Sequence, residues 1–227
     1  MLRSPEVLRL SILGGTATAL TYVAGVVLGV VVGNAVSDTL PGHMSEPART
    51  TLAALTAIGG LVLGSAFWGV WMGRLGNSRE TRRMVWTGIL GLVPITVALG
   101  AGLIALESAA AGSSVVGQLP VHRVFTVLFV PTAFVVAATA CITLGVGLRN
   151  RTLARSSWWQ AGLGASLLFL VGNLVMELSG WRIGAPGAAE RFTMLTVLFV
   201  SAAGASLAGG GVIGYVLARS RKTQPIT

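Results

Sequence analysis

The sequence predicts an all-α integral membrane protein, with six transmembrane helices as three tandem, parallel-repeat helical hairpins and both termini cytoplasmic. Three observations predict it. The chain is 53% hydrophobic and 10% charged, with a mean hydropathy of +0.80, whereas a soluble domain carries about 25% charged residues. Its apolar residues fall in long runs parted by short polar segments, and such runs can cross a hydrocarbon core of roughly 30 Å. The text also repeats at a spacing of 70 residues: Thr126-Val-Leu-Phe-Val130 returns as Thr196-Val-Leu-Phe-Val200, Arg149 and Arg151 as Arg219 and Arg221, and Glu107 as Glu177. A fixed period marks a repeated structural unit, and each unit here holds two apolar runs.

In chain order, the first run covers about Leu10–Gly33, after Arg3, Glu6 and Arg9. Ala17-Thr-Ala19 resembles a signal-peptide cleavage site, but the apolar stretch continues to Gly33, so an uncleaved first helix is expected. A polar connection with Asp38, His43, Glu46 and Arg49 leads to the second run, about Thr51–Gly73. Arg74, Arg79, Glu80, Arg82 and Arg83 separate it from the third, Met84–Leu106. That run contains Pro94, which a membrane helix tolerates where neighbours satisfy the freed carbonyl. After Glu107 a small-residue loop is expected from Ser108 to His122, then a fourth run, about Val124–Leu148, trailed by Arg149, Arg151 and Arg155. The fifth run, Ser157–Met176, ends at Glu177. A loop with Trp181, Arg182, Glu190 and Arg191 precedes the sixth, Phe192–Ala218, and the tail carries Arg219, Arg221 and Lys222.

The whole chain, 1–227, therefore reads as a single transmembrane domain with repeat units at about 7–74, 82–149 and 155–219. The first unit is the most diverged copy, in which Ile12-Leu-Gly14 echoes Ile89-Leu-Gly91. Three two-helix repeats are also the architecture of mitochondrial solute carriers, but their Pro-x-Asp/Glu-x-x-Lys/Arg signature is absent here, so no kinship follows.

The net charge of +9 suggests nucleic acid only in a soluble protein; here the charges sit between apolar runs and set orientation, so no nucleic-acid partner is expected. Of the sixteen basic residues, twelve fall on the side that holds both termini, and four (Arg49, Arg123, Arg182, Arg191) on the other. Cytoplasmic segments carry the excess of Lys and Arg, so both termini are expected inside, in a plasma (inner) membrane of bacterial type. Trp68, Trp71, Trp86, Trp158 and Trp159 fall at the same ends of their runs and read as an interfacial aromatic belt. The expected partners are membrane lipids, with anionic headgroups at the cytoplasmic face, and a second copy of the chain or a larger membrane complex.

Small and hydroxyl residues recur at helical spacing: Gly25, Gly29 and Gly33; Gly60 and Gly64; Thr132, Thr139 and Thr143; Gly162, Ser166 and Asn173; Ser206, Gly210 and Gly214. Such stripes let helix backbones approach closely in lipid, and tight packing is the reading they favour over a polar-lined path. Cys141 lies inside an apolar run and reads as a small packing residue.

Glu107 and Glu177 stand where a carboxylate is costly, near the membranous end of a run. Arg123 and Arg191 are their candidate outer ion-pair partners. Asn173 lies one helical turn before Glu177, on the same face. Asn173, Glu177, Glu107, Thr132 and Thr139 are thus the candidates for a polar pathway or for interhelical contacts. No catalytic, cofactor or metal site is expected. His43 and His122 both lie in connections, Gly204-Ala-Ser206-Leu-Ala208 has no buried base beside it, and Lys222, in the tail, is the only lysine. A component that moves a small uncharged or lipophilic solute fits these features, and internal repeats are common in transporters. The alternative is a non-catalytic accessory or assembly subunit of a larger membrane complex.

Overall fold

The computed structural model describes residues 5–20, 46–111, 121–178 and 188–223, together with the helical residues Gly25, Val32, Ala35 and Thr39. Among them the chain is all-helical, without a strand. The helices are α1 (Pro5–Thr18), α2 (Glu46–Leu75), α3 (Thr81–Ala111), α4 (Val121–Gly147), α5 (Arg151–Arg155), α6 (Trp158–Leu178) and α7 (Ala188–Thr223).

The predicted second, third and sixth runs fall within long helices that overrun them, and the fourth and fifth match theirs except for Leu148 and Ser157, which lie one residue outside. α3 continues through Glu107 to Ala111 and α4 starts at Val121, both inside the expected loop. Ser-Ala-Ala-Ala at 108–111 carries high helix propensity, so nothing local stops α3 at Glu107. α2 starts five residues before Thr51, at Glu46-Pro47, where a carboxylate and a proline suit a first turn.

Helices α2 and α4 end in the same way, 72 residues apart. Gly76 N–H donates to Met72 O (2.9 Å) and Ser78 N–H to Gly73 O (2.8 Å); Leu148 N–H donates to Leu144 O (2.8 Å) and Asn150 N–H to Gly145 O (2.8 Å). Each turn is made by a left-handed residue that is not glycine, Asn77 at φ 60° and Arg149 at φ 55°. Left-handed backbone costs a side-chain-bearing residue about 1–2 kcal/mol, least for Asn. After the second turn, Asn150 caps the short helix α5: its Oδ1 accepts from Leu153 N–H at 3.2 Å.

The long helices stand in a ring in the order α1, α2, α3, α4, α6, α7, with α7 back against α1. Paired contacts fix the direction of each neighbour. Gly69 and Ser65 of α2 meet Gly88 of α3, and Gly73 meets Met84; Gly91 of α3 meets Thr143 of α4, and Thr87 meets Gly147. Gly162 of α6 meets Phe134 of α4, while Ser166 Oγ donates to Val130 O at 3.0 Å. Gly172 and Gly164 of α6 meet Ser201 and Ala208 of α7, and Gly14 of α1 meets Gly210 and Gly214 of α7. Each of these five pairs runs antiparallel.

Glycine decides these approaches. A Cβ on Gly14 would lie 2.6 Å from Gly210 O and 3.0 Å from Gly214 Cα, both backbone atoms that cannot step aside. Ser11 Oγ donates across the same seam to Gly211 O at 3.1 Å. Among the described residues, three helices carry windows long and apolar enough to cross a membrane, Ile58–Leu75, Val130–Gly147 and Val200–Arg219, and Trp158–Gly172 is a shorter apolar helix. These features are consistent with an integral membrane protein.

Candidate functional site in the bundle interior

Glycines at the seams leave the middle of the ring to larger side chains. On α2, Gly60, Gly64, Trp68 and Met72 follow one another every four residues along one buried stripe. Trp68 and Met72 are fully buried and pack in one cluster with Met84 of α3, Leu144 and Cys141 of α4, and Ile213 of α7. Leu153 of the short helix α5 enters the same cluster with no exposed surface, and its carbonyl faces the Cys141 thiol, which donates to it across 3.6 Å. The five-residue helix thus seats a leucine plug at the arginine-rich end of the bundle.

The belt reading therefore needs one correction. Trp71, Trp86 and Trp159 are exposed, but Trp68 is not: it points into the bundle. Its indole N–H donates to Thr18 Oγ1 at 2.9 Å, and the Thr18 hydroxyl donates on to Gly14 O at 2.8 Å. A Cβ on Gly210 would meet this same threonine, so α1, α2 and α7 converge on one hydroxyl. An indole N–H needs a partner when buried, and the threonine supplies it. The signal lay in the spacing. Trp68 continues the Gly60–Gly64 stripe by one further turn, whereas Trp71 does not. Trp158 is half-buried, edge-on to Phe134 with ring centroids 6.0 Å apart at 88°.

Of the candidate pathway residues, Thr132 and Thr139 are half-buried, and Thr132 is already partnered. The Thr139 carbonyl accepts from Thr143 Oγ1 at 2.9 Å, with Thr143 seated against Gly91 of α3. Thr87, Thr96 and Thr143 likewise donate to carbonyls one turn back in their own helices. These hydroxyls are spent on backbone, in the pattern expected of an apolar packing surface. Glu107, Asn173, Glu177, Arg123 and Arg191 lie on helical backbone, but their side chains fall outside the described residues, and with them the two expected ion pairs.

One polar group in the interior has no such arrangement. Ser65 of α2 is fully buried, and among the described residues its Oγ has no hydrogen-bond partner. A buried unpaired hydroxyl costs about 1–3 kcal/mol. Nothing in the sequence marked it beyond its place beside the Gly64 stripe.

Comparison with known proteins adds nothing to this geometry, since no protein-family description, no curated protein and no solved structure matches the chain.

Proposed function

We propose that the chain is a non-catalytic integral membrane component that works as a packed helical bundle, an accessory or assembly subunit of a larger membrane complex. The observation that carries this reading is the filled interior: Trp68, Met72, Met84, Leu144, Leu153 and Ile213 form a contiguous apolar core where the helices converge. Thr87, Thr96 and Thr143 add to it by bonding backbone carbonyls of their own helices. A bundle built this way offers its outer apolar faces, such as Leu163, Leu167, Leu170 and Leu174 on α6, to lipid or to neighbouring membrane helices.

Gentle extraction from native membranes tests the reading. The chain is expected to migrate in an assembly of defined stoichiometry, well above its own 23.3 kDa, and vesicles holding the purified chain are expected to pass no small uncharged solute. A solitary chain that does pass such a solute would overturn it.

The sequence favoured transport of a small uncharged or lipophilic solute, and one observation supports that as the second reading. Ser65 keeps a free hydroxyl in the interior, and solute sites in transporters gather polar groups near mid-membrane. Ser65→Ala separates the two readings. A packing role predicts equal or greater thermal stability, by up to about 1 kcal/mol, because replacing an unpaired hydroxyl relieves its desolvation cost. A path predicts lower flux at unchanged stability.

A further inference from the structure

We propose that the two touching turns at the arginine-rich end, α2–α3 and α4–α5, form a binding surface for the phosphate of anionic phospholipids. The inference rests on the membrane reading alone and not on the choice between subunit and transporter.

The turns are neighbours. Gly76 of the first lies against the Leu148 side chain of the second, and Arg83 Nη2 donates to Val146 O at 3.0 Å across the gap. Arg83 also meets Glu80 at 3.4 Å, the one ion pair among the described residues. This arginine is therefore occupied, bonded to the Val146 carbonyl in the last turn of α4, where a cation is favoured by the helix dipole. Arg79, Arg82, Arg149 and Arg151, which stand in or beside these two turns, are exposed.

Two further features point to a ligand and to its source. Arg149 holds a left-handed backbone at φ 55°, a position glycine fills at no cost, so the turn itself does not call for an arginine. And two exposed tryptophans step away from exposed arginines of the same helix by one turn: Trp71 from Arg74 on α2, and Trp86 from Arg82 on α3. Indoles settle at headgroup depth, which puts the arginines of the same helices level with lipid phosphates. Guanidinium groups pair with phosphate through paired N–H donors. The negative surface potential of an anionic leaflet adds to the attraction.

The test uses the full chain in vesicles of neutral phosphatidylcholine mixed with phosphatidylglycerol. Either lipid is supplied in brominated form, and quenching of tryptophan fluorescence gives the relative affinity of the two. The expected result is a preference for phosphatidylglycerol of about two- to fivefold, lost at high salt. In the double variant Arg149→Gly, Arg151→Gln the preference is expected to fall toward unity. Glycine suits the turn, so that variant should fold, and slow reaction of its buried Cys141 with a thiol reagent confirms that it has. Equal quenching by the two lipids in the unaltered chain would overturn the proposal, as would a preference that survives the double substitution. Loss of the preference on adding millimolar inorganic phosphate at constant ionic strength would assign the surface to a soluble phosphate instead. Alkaline carbonate extraction is run alongside: release of the chain breaks the membrane reading itself, whereas retention with equal quenching breaks only the lipid proposal.

Discussion

Between α1 and α7 the backbones of Gly14, Gly15, Gly210 and Gly214 approach directly. In the middle of the ring the opposite holds, and Trp68, Met72, Met84 and Leu153 fill the space the helices leave. Both regions are apolar and both are buried, yet they differ in what a substitution can do. At the seam the limiting atoms are backbone, so a single added methyl group has nowhere to go. In the core the limiting quantity is volume, so removing atoms does the harm. Helix association in lipid rests on close packing and hydrogen bonds rather than on the expulsion of water, and this bundle divides those two between its seams and its core. Thr18 joins them, bonded to the core indole on one side and seated against the seam glycine Gly210 on the other.

Predictions that would break or sharpen this contrast share one readout. Cys141 is the single cysteine and is fully buried, so its reaction with a thiol-activated dye during heating reports opening of the bundle. The largest effect is expected from Trp68→Ala, which empties the core and leaves Thr18 without its indole donor, at a cost of about 3–5 kcal/mol. Dye reaction at an unchanged temperature would mean that the core does not hold the helices together. Next comes Gly14→Ala at the seam, where the added carbon meets Gly210 O and Gly214 Cα. Forced overpacking of this kind costs about 1–3 kcal/mol, and a neutral result would show that α1 and α7 can part at no penalty. The smallest effect has the opposite sign. Gly59 is exposed on α2 and has open space where a Cβ would stand, so Gly59→Ala should stabilise the helix by about 0.5–1 kcal/mol. If both alanine variants shift the dye reaction in the same direction, the distinction between seam glycines and surface glycines fails.

The glycine stripes were legible in the sequence and so was their packing role. Gly60, Gly64, Gly210 and Gly214 all sit where a neighbouring backbone or Thr18 passes. The partners in those contacts were not legible, because a stripe announces a close approach without naming what approaches. The short helix α5 was missed for a different reason: five residues are too few to set up a periodicity, and only the Asn150 cap marks its start. Ser65 was missed because a hydroxyl in an apolar run is ordinary until every neighbour is known.

What the sequence by itself determined is where the long helices lie, to within a few residues at their ends. Apolar runs, Gly and Asn at their ends and Pro in their first turns act within a few residues, and helix hydrogen bonds close within one turn. Which face of each helix turns inward was decided only by the tertiary structure. In a soluble protein polarity separates the two faces, but in an apolar helix both the core and the acyl chains welcome a tryptophan or a leucine. Trp68 and Trp71, three residues apart and chemically identical, part company: spacing puts Trp68 on the Gly60–Gly64 stripe, but the acceptor for its indole comes from another helix. Trp68 turns inward, where Thr18 of α1 supplies its acceptor and the core side chains of α3, α4 and α7 surround it, and those groups come together only when the ring closes.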